Sequence, residues 1–468
     1  MSQDAKSSVN NLLVNSIAVL PFAIKGTSRD AEYISDGITE TLIDELSQLP
    51  SMKRVIAQTS VFRFKDREVE PQLVGRELQV GAVLMGQITQ QGDEFTISAE
   101  LVSTEDDRHI WGAQYTLRIA DVLAKQKEIS RAIALSLQQR LTTRETPRAK
   151  SYPQNNDAYL LYLKGRYFLN KRDFKLAIDY FQQAIDSDPS YSLPYAGLAD
   201  CYSVVNSQPS ETMPKAKAAA LKALAIDDTL AEGHASLALI MFRYEWNWSD
   251  AERELKRAIE LNPNYASAHQ WYALYLLAAE RSDEAMAEIT RAQQLDPLSV
   301  RVGATLGTVF LFTRQYDAAI LQWKKTMEIE PDVPSVHALL RIAYQEKGMF
   351  DEAYLHAQKD FASRFTIEQV EKIKQAYAAS GYKGLLTKEL EIEKDRSKLG
   401  YVPAIRIARI YASLGQKDQA FSLLDKAYEN REDGLVYLNA DPRYDNLRSD
   451  PRFSDLLHRV GLTPKRDQ

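Results

Sequence analysis

The chain has 468 residues, of which 45% are hydrophobic and 26% are charged, so it has the composition of an ordinary globular protein of two to four domains. The net charge of -6 argues against nucleic-acid binding as the main function. The single cysteine, Cys201, excludes an intrachain disulfide and a cysteine-rich zinc site, and it is interpreted as a buried hydrophobic side chain.

Residues 1–15 are predicted to form a polar arm. This arm lacks an apolar core of signal-peptide length, and no run of 18 apolar residues occurs anywhere in the chain. The sequence therefore predicts a cytoplasmic protein without membrane insertion. A periplasmic location is the alternative if the chain is part of a longer, membrane-anchored protein.

Residues 16–142 are predicted to form an α+β domain with the element order β-α-β-α-β-β-β-α. In the last three strands apolar and polar residues alternate, and tight turns join them, so they predict an antiparallel meander with one buried face. The helices on either side can cover that face. The predicted strands are 16–22, 55–57, 82–90, 94–102 and 109–117, and the predicted helices are 31–49, 71–80 and 121–142. Residues 143–156 contain two prolines and are predicted to be a linker.

A repeat dominates the second part of the chain. Pro263, Pro297 and Pro331 stand 34 residues apart, and each follows an acidic or amide residue at the end of a run of helix formers. This period is typical of tetratricopeptide repeats, which are pairs of antiparallel helices. Residues 157–430 are therefore predicted to form an all-α solenoid of about eight helical hairpins.

The interior of each repeat supports this prediction. Leu161, Gly165 and Phe168 share one face of a first helix in the first repeat, and small residues recur where a second helix must approach closely. Five or six such positions match in five successive repeats, and the pattern resembles the tetratricopeptide repeat family. One repeat is longer, and its excess at 206–214 is interpreted as an enlarged turn. A weaker repeat covers 366–395, with Gly381 at its turn.

Residues 431–468 are predicted to cap the solenoid, because the last repeat would otherwise expose an apolar face. The apolar residues assigned to this cover are Tyr444, Leu447, Phe453, Leu456 and Leu457.

The amino-terminal residues carry a second resemblance. The segments IAVLPF at 17–22, EYISDGITETLIDEL at 32–46 and GRELQVGAVLMGQI at 75–88 resemble the TolB amino-terminal-like (FlgO-like) domain of bacterial proteins. The resemblance implies a module that precedes tetratricopeptide repeats in proteins with an adenylate cyclase, kinase or winged-helix domain, and DPRYDNLRSDPRFSDLLHRVGL at 441–462 is similar to their closing segment. No effector domain is recognised in this chain, so those activities are not expected of it.

Sequence motifs of catalysis are not found. The two common phosphate-binding loops and the metalloprotease motif are absent, and no catalytic residue, cofactor or metal site is predicted. His234, His269 and His337 occupy one position in three repeats, which Tyr195 fills in another. A ladder of metal sites is one interpretation, but neighbouring helices are about 10 Å apart, too far to share an ion, so packing within each hairpin is the preferred one.

Function is therefore expected on the concave surface of the solenoid, which can hold an extended or helical peptide. Tyrosine and arginine, frequent at binding hot spots, are common there. The predicted groove residues are Tyr159, Tyr162, Arg166, Asn170, Asp200, Ser203, Arg243, Gln270, Leu274, Arg301 and Thr308.

Two functions remain open. The first is a non-enzymatic scaffold or adaptor that binds a protein or peptide partner, does not bind nucleic acid directly and can form a homo-oligomer. The second is the regulatory module of a bacterial signalling protein whose effector domain is absent from this chain. An intrinsic enzyme ranks third, since nothing in the sequence supports it.

Overall fold

The computed structural model describes residues 15–25, 29–49, 51–91, 94–118, 155–204 and 208–463, together with Glu128 and Ala132. The predicted arm and almost all of the predicted helix at 121–142 and linker at 143–156 lie outside these residues.

A six-stranded mixed sheet forms the amino-terminal part of the molecule. Its strands are β1 (Ser16–Val19), β2 (Ala23–Lys25), β3 (Arg54–Val55), β4 (Ala82–Gln91), β5 (Glu94–Ser103) and β6 (His109–Arg118). The order is β3-β1-β4-β5-β6, and β2 also pairs with β4. β4, β5 and β6 are antiparallel neighbours, which confirms the predicted meander. The predicted strand at 16–22 is interrupted at Pro21, because proline has no N–H group to donate to β4.

In the described residues before 119, three helices accompany the sheet: α1 (Arg29–Ser47), α2 (Gln58–Val61) and α3 (Pro71–Leu78), with a 3₁₀ turn at Phe62–Phe64. Ile34, Ile38 and Leu42 of α1 are buried against the strands, as their four-residue spacing predicts. The short α2 and the 3₁₀ turn were not predicted, because elements of four and three residues are too short to show a period in their apolar residues.

The remaining helices form a solenoid of helical hairpins, so the fold class is confirmed as an α+β part followed by an all-α tetratricopeptide repeat solenoid. They are α4 (Asn156–Asn170), α5 (Phe174–Ser187), α6 (Ser192–Val204), α7 (Pro209–Ile226), α8 (Ala231–Ile240), α9 (Trp248–Leu261), α10 (Ala266–Ala278), α11 (Ser282–Leu295), α12 (Val300–Phe312), α13 (Tyr316–Ile329), α14 (Pro334–Glu346), α15 (Phe350–Arg364), α16 (Ile367–Leu399), α17 (Ala404–Ser413) and α18 (Lys417–Glu429). Small residues allow the two helices of a hairpin to pack closely: a Cβ at Gly165 would lie 2.5 Å from the ring of Phe181.

Three details differ from the predicted repeats. Pro209 and Pro214 lie within α7, so the enlarged turn predicted at 206–214 is wrong for residues 209–214. Pro209 begins the helix, where no N–H partner is needed, whereas Pro214 lies inside it, where it removes one backbone hydrogen bond and crowds the carbonyl of the preceding turn. A π-helical turn, Met241–Glu245, follows α8 and ends at Trp246 in the left-handed conformation. The turn predicted at Gly381 is present but short: only Ser380 and Gly381 leave the helical conformation, so α16 consists of two helices that meet there at a kink.

Two 3₁₀ turns, Asp433–Tyr437 and Pro442–Leu447, and the helix α19 (Pro451–Arg459) close the chain. The five apolar residues assigned to the cap are all buried. They share one core with α17 and α18, and also with buried residues of α8, α10 and α12. The carboxy-terminal segment therefore packs against the middle of the solenoid as well as its end.

Candidate functional site

The inner helices α4, α6, α8, α10 and α12, with the π turn after α8, carry the eleven residues predicted to line a groove. Tyr159, Tyr162 and Gln270 are buried, Asn170 and Arg301 are exposed, and Arg166, Asp200, Ser203, Arg243, Leu274 and Thr308 are partly buried. They do not form one continuous open groove, because other segments of the chain cover parts of this surface.

Helix α1 covers the beginning of the concave surface. Arg166 forms an ion pair with Glu40, and a hydrogen bond of 3.3 Å joins the hydroxyls of Tyr159 and Thr41. The two helices approach closely at Gly37, where a Cβ would lie 2.5 Å from the Leu163 side chain. The sheet domain is thus seated on the first repeat through a glycine contact and a buried ion pair.

Burial dominates the electrostatics of that ion pair. Desolvation raises the pKa of the Glu40 carboxyl, and the nearby Arg166 guanidinium offsets part of this rise. Burial alone would lower the pKa of Arg166, but Glu40, together with Tyr162, Asp44 and Asp200, more than reverses this effect. Each charge therefore depends on the other, and the loss of either one leaves an uncompensated charge at the interface.

A cleft remains open beside this contact. Between α1 and the inner helices α4, α6 and α8 it holds a cavity of about 50 Å³ that opens to solvent. Its lining residues are Asp44, Tyr162, Arg166, Leu193, Ala196, Gly197, Asp200, Glu232 and Tyr265. Three predicted groove residues, Tyr162, Arg166 and Asp200, come together here.

The cleft wall is polar and partly desolvated. Burial raises the pKa of Asp200, although its Oδ1 accepts a hydrogen bond of 2.5 Å from the Ser236 hydroxyl. Burial also raises the pKa of Tyr265 well above its usual value, and Asp200 and Glu232 add to this effect. Three carboxylates, Asp44, Asp200 and Glu232, thus share the cleft with Arg166 and two tyrosines.

Sequence reasoning missed Asp44, Glu232 and Tyr265. Asp44 belongs to α1, and its position against the solenoid follows from tertiary docking rather than from any local pattern. Glu232 and Tyr265 stand at the starts of inner helices. The repeat spacing could have identified these two positions as neighbours of the groove.

Further along, the predicted groove residues bond within the solenoid. Gln270 donates from Nε2 to the Thr305 hydroxyl at 2.7 Å and to the Arg301 carbonyl at 3.2 Å, while Arg301 donates to the Ser267 hydroxyl at 3.0 Å. The hydroxyls of Ser203 and Thr308 donate to carbonyls of their own helices. The contacts of Gln270 and Arg301 join α10 to α12.

The carboxy-terminal segment covers the concave surface around the π turn. Arg243 forms an ion pair of 2.6 Å with Asp433, and Trp248 donates from Nε1 to the Val460 carbonyl at 2.9 Å. Trp246 stacks on Tyr428 with ring centres 5.0 Å apart. Trp246 and Trp248 thus pack against the chain itself, and Arg243 faces an internal partner.

The turns that end the repeats contact the sheet domain. Asn264 donates to the carbonyls of Ser47 and Met52, each at 3.0 Å, and accepts from Val55 N at 3.3 Å. One repeat later the Ser60 hydroxyl donates to Asp296 at 2.6 Å and accepts from Leu298 N at 2.8 Å. We call residues 47–63, with Pro50 outside the described residues, the strap.

A third repeat extends the same series of contacts. Arg63 of the strap forms an ion pair of 2.7 Å with Glu330. The residue before or after the repeat-ending proline therefore docks the strap in three successive repeats.

The histidines link the helices of single hairpins. His234 Nδ1 lies 2.6 Å from Glu254, and its Nε2 lies 2.9 Å from the Asp228 carbonyl; His269 bridges Glu288 and the Pro263 carbonyl in the same way. His337 instead meets His356, with 2.8 Å between their Nδ1 atoms. Among the described residues, no three side chains that commonly bind metal ions are grouped closely enough to hold one.

Within those residues, too, no helix is both long and apolar enough to cross a membrane.

Comparison with known families places two kinds of unit in the chain. Residues 13–144 match the second domain of HilA/YgeH-like transcriptional regulators, and residues 158–191, 244–300 and 404–433 match tetratricopeptide repeats. The repeats are thus found by sequence as well as by structure. The resemblance to the TolB amino-terminal-like domain is not confirmed by these matches.

Similar proteins include regulators and repeat proteins. The chain is 29% identical over 235 residues to "Putative adenylate cyclase 3" of Rhizobium meliloti (strain 1021), a match that covers 48% of this chain and 40% of the relative. It is 27% identical over 173 residues to the transcriptional regulator HilA of Salmonella typhimurium (strain LT2), covering 35% and 31%. The chain thus matches less than half the length of each relative.

A solved structure adds a distant likeness. The thermophilic tetratricopeptide repeat protein TTC0263 of Thermus thermophilus is 18% identical, with a TM-score of 0.36, over 40% of this chain and 99% of that chain.

Proposed function

We propose that the protein is a non-enzymatic scaffold that binds a segment of a partner protein in the cleft between α1 and the first inner helices. Tetratricopeptide repeats are typical of protein-interaction scaffolds. The observation that carries the proposal is the cleft, where a cavity of about 50 Å³ opens beside three of the predicted groove residues.

The lining of the cleft suggests what kind of segment it takes. Asp44, Asp200 and Glu232 outnumber the lining arginine, Arg166, which is already paired with Glu40. Tyr162 and Tyr265 add aromatic surface with polar ends, a combination favoured at binding hot spots. A short segment with a basic or polar side chain fits this lining better than an acidic one.

The structure decides which substitutions test the proposal. Tyr162, Arg166 and Arg243 contact the chain's own segments, so replacing them would mix partner binding with folding. Glu232→Lys and Tyr265→Ala change the cleft lining without touching the Arg166 and Arg243 ion pairs, and circular dichroism shows whether the double variant is folded. Glu260→Lys on the exposed face of α9 is a matched control, because it reverses a charge on a side chain that is 66% exposed.

The experiment is a comparative affinity capture from lysate of the source cell, followed by isothermal titration calorimetry with the captured protein. We expect a partner that binds the intact chain and the Glu260→Lys variant equally, and binds the Glu232→Lys/Tyr265→Ala variant at least about tenfold more weakly. Equal affinity for all three proteins would reject the cleft as the binding site.

A second candidate function is the regulatory module of a larger signalling protein. The match of residues 13–144 to a domain of transcriptional regulators supports it, as does the similarity to part of a protein named as an adenylate cyclase. The test is an immunoblot of the native protein with antibodies against this chain. A product clearly larger than 468 residues, with an additional domain identified by mass spectrometry, is expected; a product of 468 residues without a co-purifying effector would reject this function.

A further inference from the structure

A cluster of arginines lies at the junction of α15, α16 and α17, on helices that do not line the cleft. Arg364, Arg396 and Arg406 converge on one carboxylate, that of Glu393, which is fully buried. Arg396 Nη1 lies 2.9 Å from Oε2 and Arg406 Nη1 lies 3.6 Å from Oε1, while Arg364 contacts Oε1 directly. One carboxylate thus faces three guanidinium groups from three helices.

The charged side chains next to Glu393 do not make the numbers of arginines and carboxylates equal. Arg341 is bonded to Glu389, and Arg364 also reaches Glu389 and Asp360. The complete cluster therefore holds four arginines, Arg341, Arg364, Arg396 and Arg406, against three carboxylates, Asp360, Glu389 and Glu393. Burial raises the pKa of Asp360, and Arg364 and Arg341 offset part of this rise. Among these seven side chains the arginines outnumber the carboxylates by one, and the next carboxylate, that of Glu432, is bound to backbone amides of α17.

The excess charge is concentrated at the exposed side of the cluster. The side chains of Arg396 and Arg406 are 34% and 41% exposed, whereas that of Arg341 is 10% exposed. Burial lowers the pKa of Arg406, the positive charges of Arg364 and Arg396 lower it further, and Glu393 offsets part of this shift. Arg406 has Glu393 as its ion-pair partner, at the long distance of 3.6 Å.

Nearby groups leave this surface available. The first amide groups of α17 are already bound, since Ala404 N and Ile405 N donate to Glu432 at 2.8 and 2.9 Å. The guanidinium of Arg396 lies over the ring of Phe365, 5.3 Å from its centre, which holds its plane in place. Arg396 and Arg406 thus contact the two oxygens of one carboxylate, and both side chains are partly exposed.

We propose that Arg396 and Arg406 bind a phosphate-class oxyanion, with Arg364 stabilising it from behind. A guanidinium presents parallel N–H donors that match the oxygens of a phosphoryl group, and two such groups around one buried carboxylate can bind one oxyanion. The anion supplies the negative charge that the cluster lacks. The ligand is inorganic phosphate or a phosphorylated side chain, and both present the same oxygens.

The test is isothermal titration calorimetry of the full chain with inorganic phosphate, at constant ionic strength in chloride buffer. We expect saturable one-site binding that falls at least about tenfold in Arg406→Gln and Arg396→Gln. Arg257→Gln is the matched control: its side chain is 45% exposed and makes a single ion pair with Glu260, and it should bind as the intact chain does.

The outcomes separate the alternatives. Acetate should not bind measurably, and a peptide with one phosphoserine that binds more tightly than inorganic phosphate would identify a phosphorylated side chain as the ligand; the reverse order would identify the free ion. Phosphate binding that is unchanged in Arg406→Gln would be an adventitious ion only and would overturn the proposal, as would no saturable binding at all. Far-ultraviolet circular dichroism shows that each variant is folded.

A variant with the opposite effect guards against loss of binding through misfolding. Glu393→Gln removes the charge that competes for the three guanidinium groups, so phosphate should bind several-fold more tightly to a folded Glu393→Gln variant. Weaker binding to this folded variant would overturn the proposal.

Discussion

Two parts of the concave surface, its amino-terminal end and the region around the π turn, are covered in different ways. At the amino-terminal end, α1 meets α4 through the Glu40–Arg166 pair, a close glycine contact and a cleft that stays open. Around the π turn, the carboxy-terminal segment meets α8 to α12 through a shared apolar core and stacked aromatic rings. The first contact depends on matched charges and leaves room for a ligand, whereas the second behaves as the interior of a domain. Substitutions at these two contacts should therefore change stability by different amounts and for different reasons.

The largest effect is expected in the carboxy-terminal core. Leu438 has no exposed surface, so Leu438→Ala should lower the free energy of unfolding by about 2–5 kcal/mol through lost burial and a cavity. Urea denaturation followed by circular dichroism measures it. Leu399→Ala is the control, because that side chain is 91% exposed and should change stability by less than about 0.5 kcal/mol. Equal midpoints for the two variants would show that the segment is not part of the cooperative core.

A smaller loss is expected where α1 meets the first repeat. Glu40→Gln leaves Arg166 without its charged partner and should cost about 1–3 kcal/mol at neutral pH. The double variant Glu40→Gln/Arg166→Met removes both charges and should recover part of that loss. Urea denaturation of both variants checks this expectation. A double variant that is less stable than Glu40→Gln would contradict the account of a mutually dependent pair.

A smaller loss of stability is expected when a contact of the strap is removed. Ser60→Ala removes the donor to Asp296 and leaves Leu298 N without its acceptor, at a cost of about 1–2 kcal/mol. Hydrogen exchange should show faster exchange in residues 55–61 and at Leu298. Ser397→Ala, which loses a bond within an exposed helix, should leave exchange in the strap unchanged. Unchanged exchange in Ser60→Ala would mean that this hydroxyl does not hold the strap.

The last prediction concerns how the stability of the hairpin of α14 and α15 depends on pH. Burial lowers the pKa of His337 below 6.5, and burial and the His337 ring lower that of His356 to about 4. Other charged groups around the pair are Asp332, Lys359, Asp360 and Lys324. Because the folded state favours the neutral rings, their contribution is complete above about pH 6.5 and is lost as the pH falls towards 4, by roughly 1–3 kcal/mol at about 1.4 kcal/mol per pKa unit.

Denaturation midpoints between pH 7 and pH 4 measure this loss. His356→Glu recreates the histidine–glutamate pairing found in the hairpins of His234 and His269. That variant should lose less stability on acidification than the intact chain, since a carboxylate accepts from a protonated ring. An identical pH dependence in both proteins would remove the histidine pair as its cause.

Local patterns predicted the elements that are regular. The spacing of Ile34, Ile38 and Leu42 gave α1, alternation gave β4 to β6, and the proline period gave the hairpins, because each pattern reflects a face buried within one or two neighbouring elements. The TolB-like interpretation, the domain boundaries and partner binding at the groove residues stay predictions.

Contacts between distant segments could not be predicted in this way. Nothing local to Arg243 indicates that Asp433 will pair with it, and nothing local to Asp44 places it opposite Asp200. The π turn escaped notice because one additional residue lengthens α8 without disturbing its apolar pattern. The groove was therefore predicted from repeat geometry, while its covering by α1 and by the last segment depends on the assembled chain.

The contacts of the strap limit how the number of repeats can change in evolution. Open solenoids gain or lose whole repeats with little penalty, because each repeat contacts only its neighbours. Here Asn264, Asp296 and Glu330 are each matched to a different residue of one short segment. Duplication of a repeat upstream of Asn264 would shift the series by about 10 Å, the spacing of packed helices, and would separate all three pairs at once. We therefore expect related chains with the same strap to keep the number of repeats between α4 and Glu330 constant while their surfaces diverge.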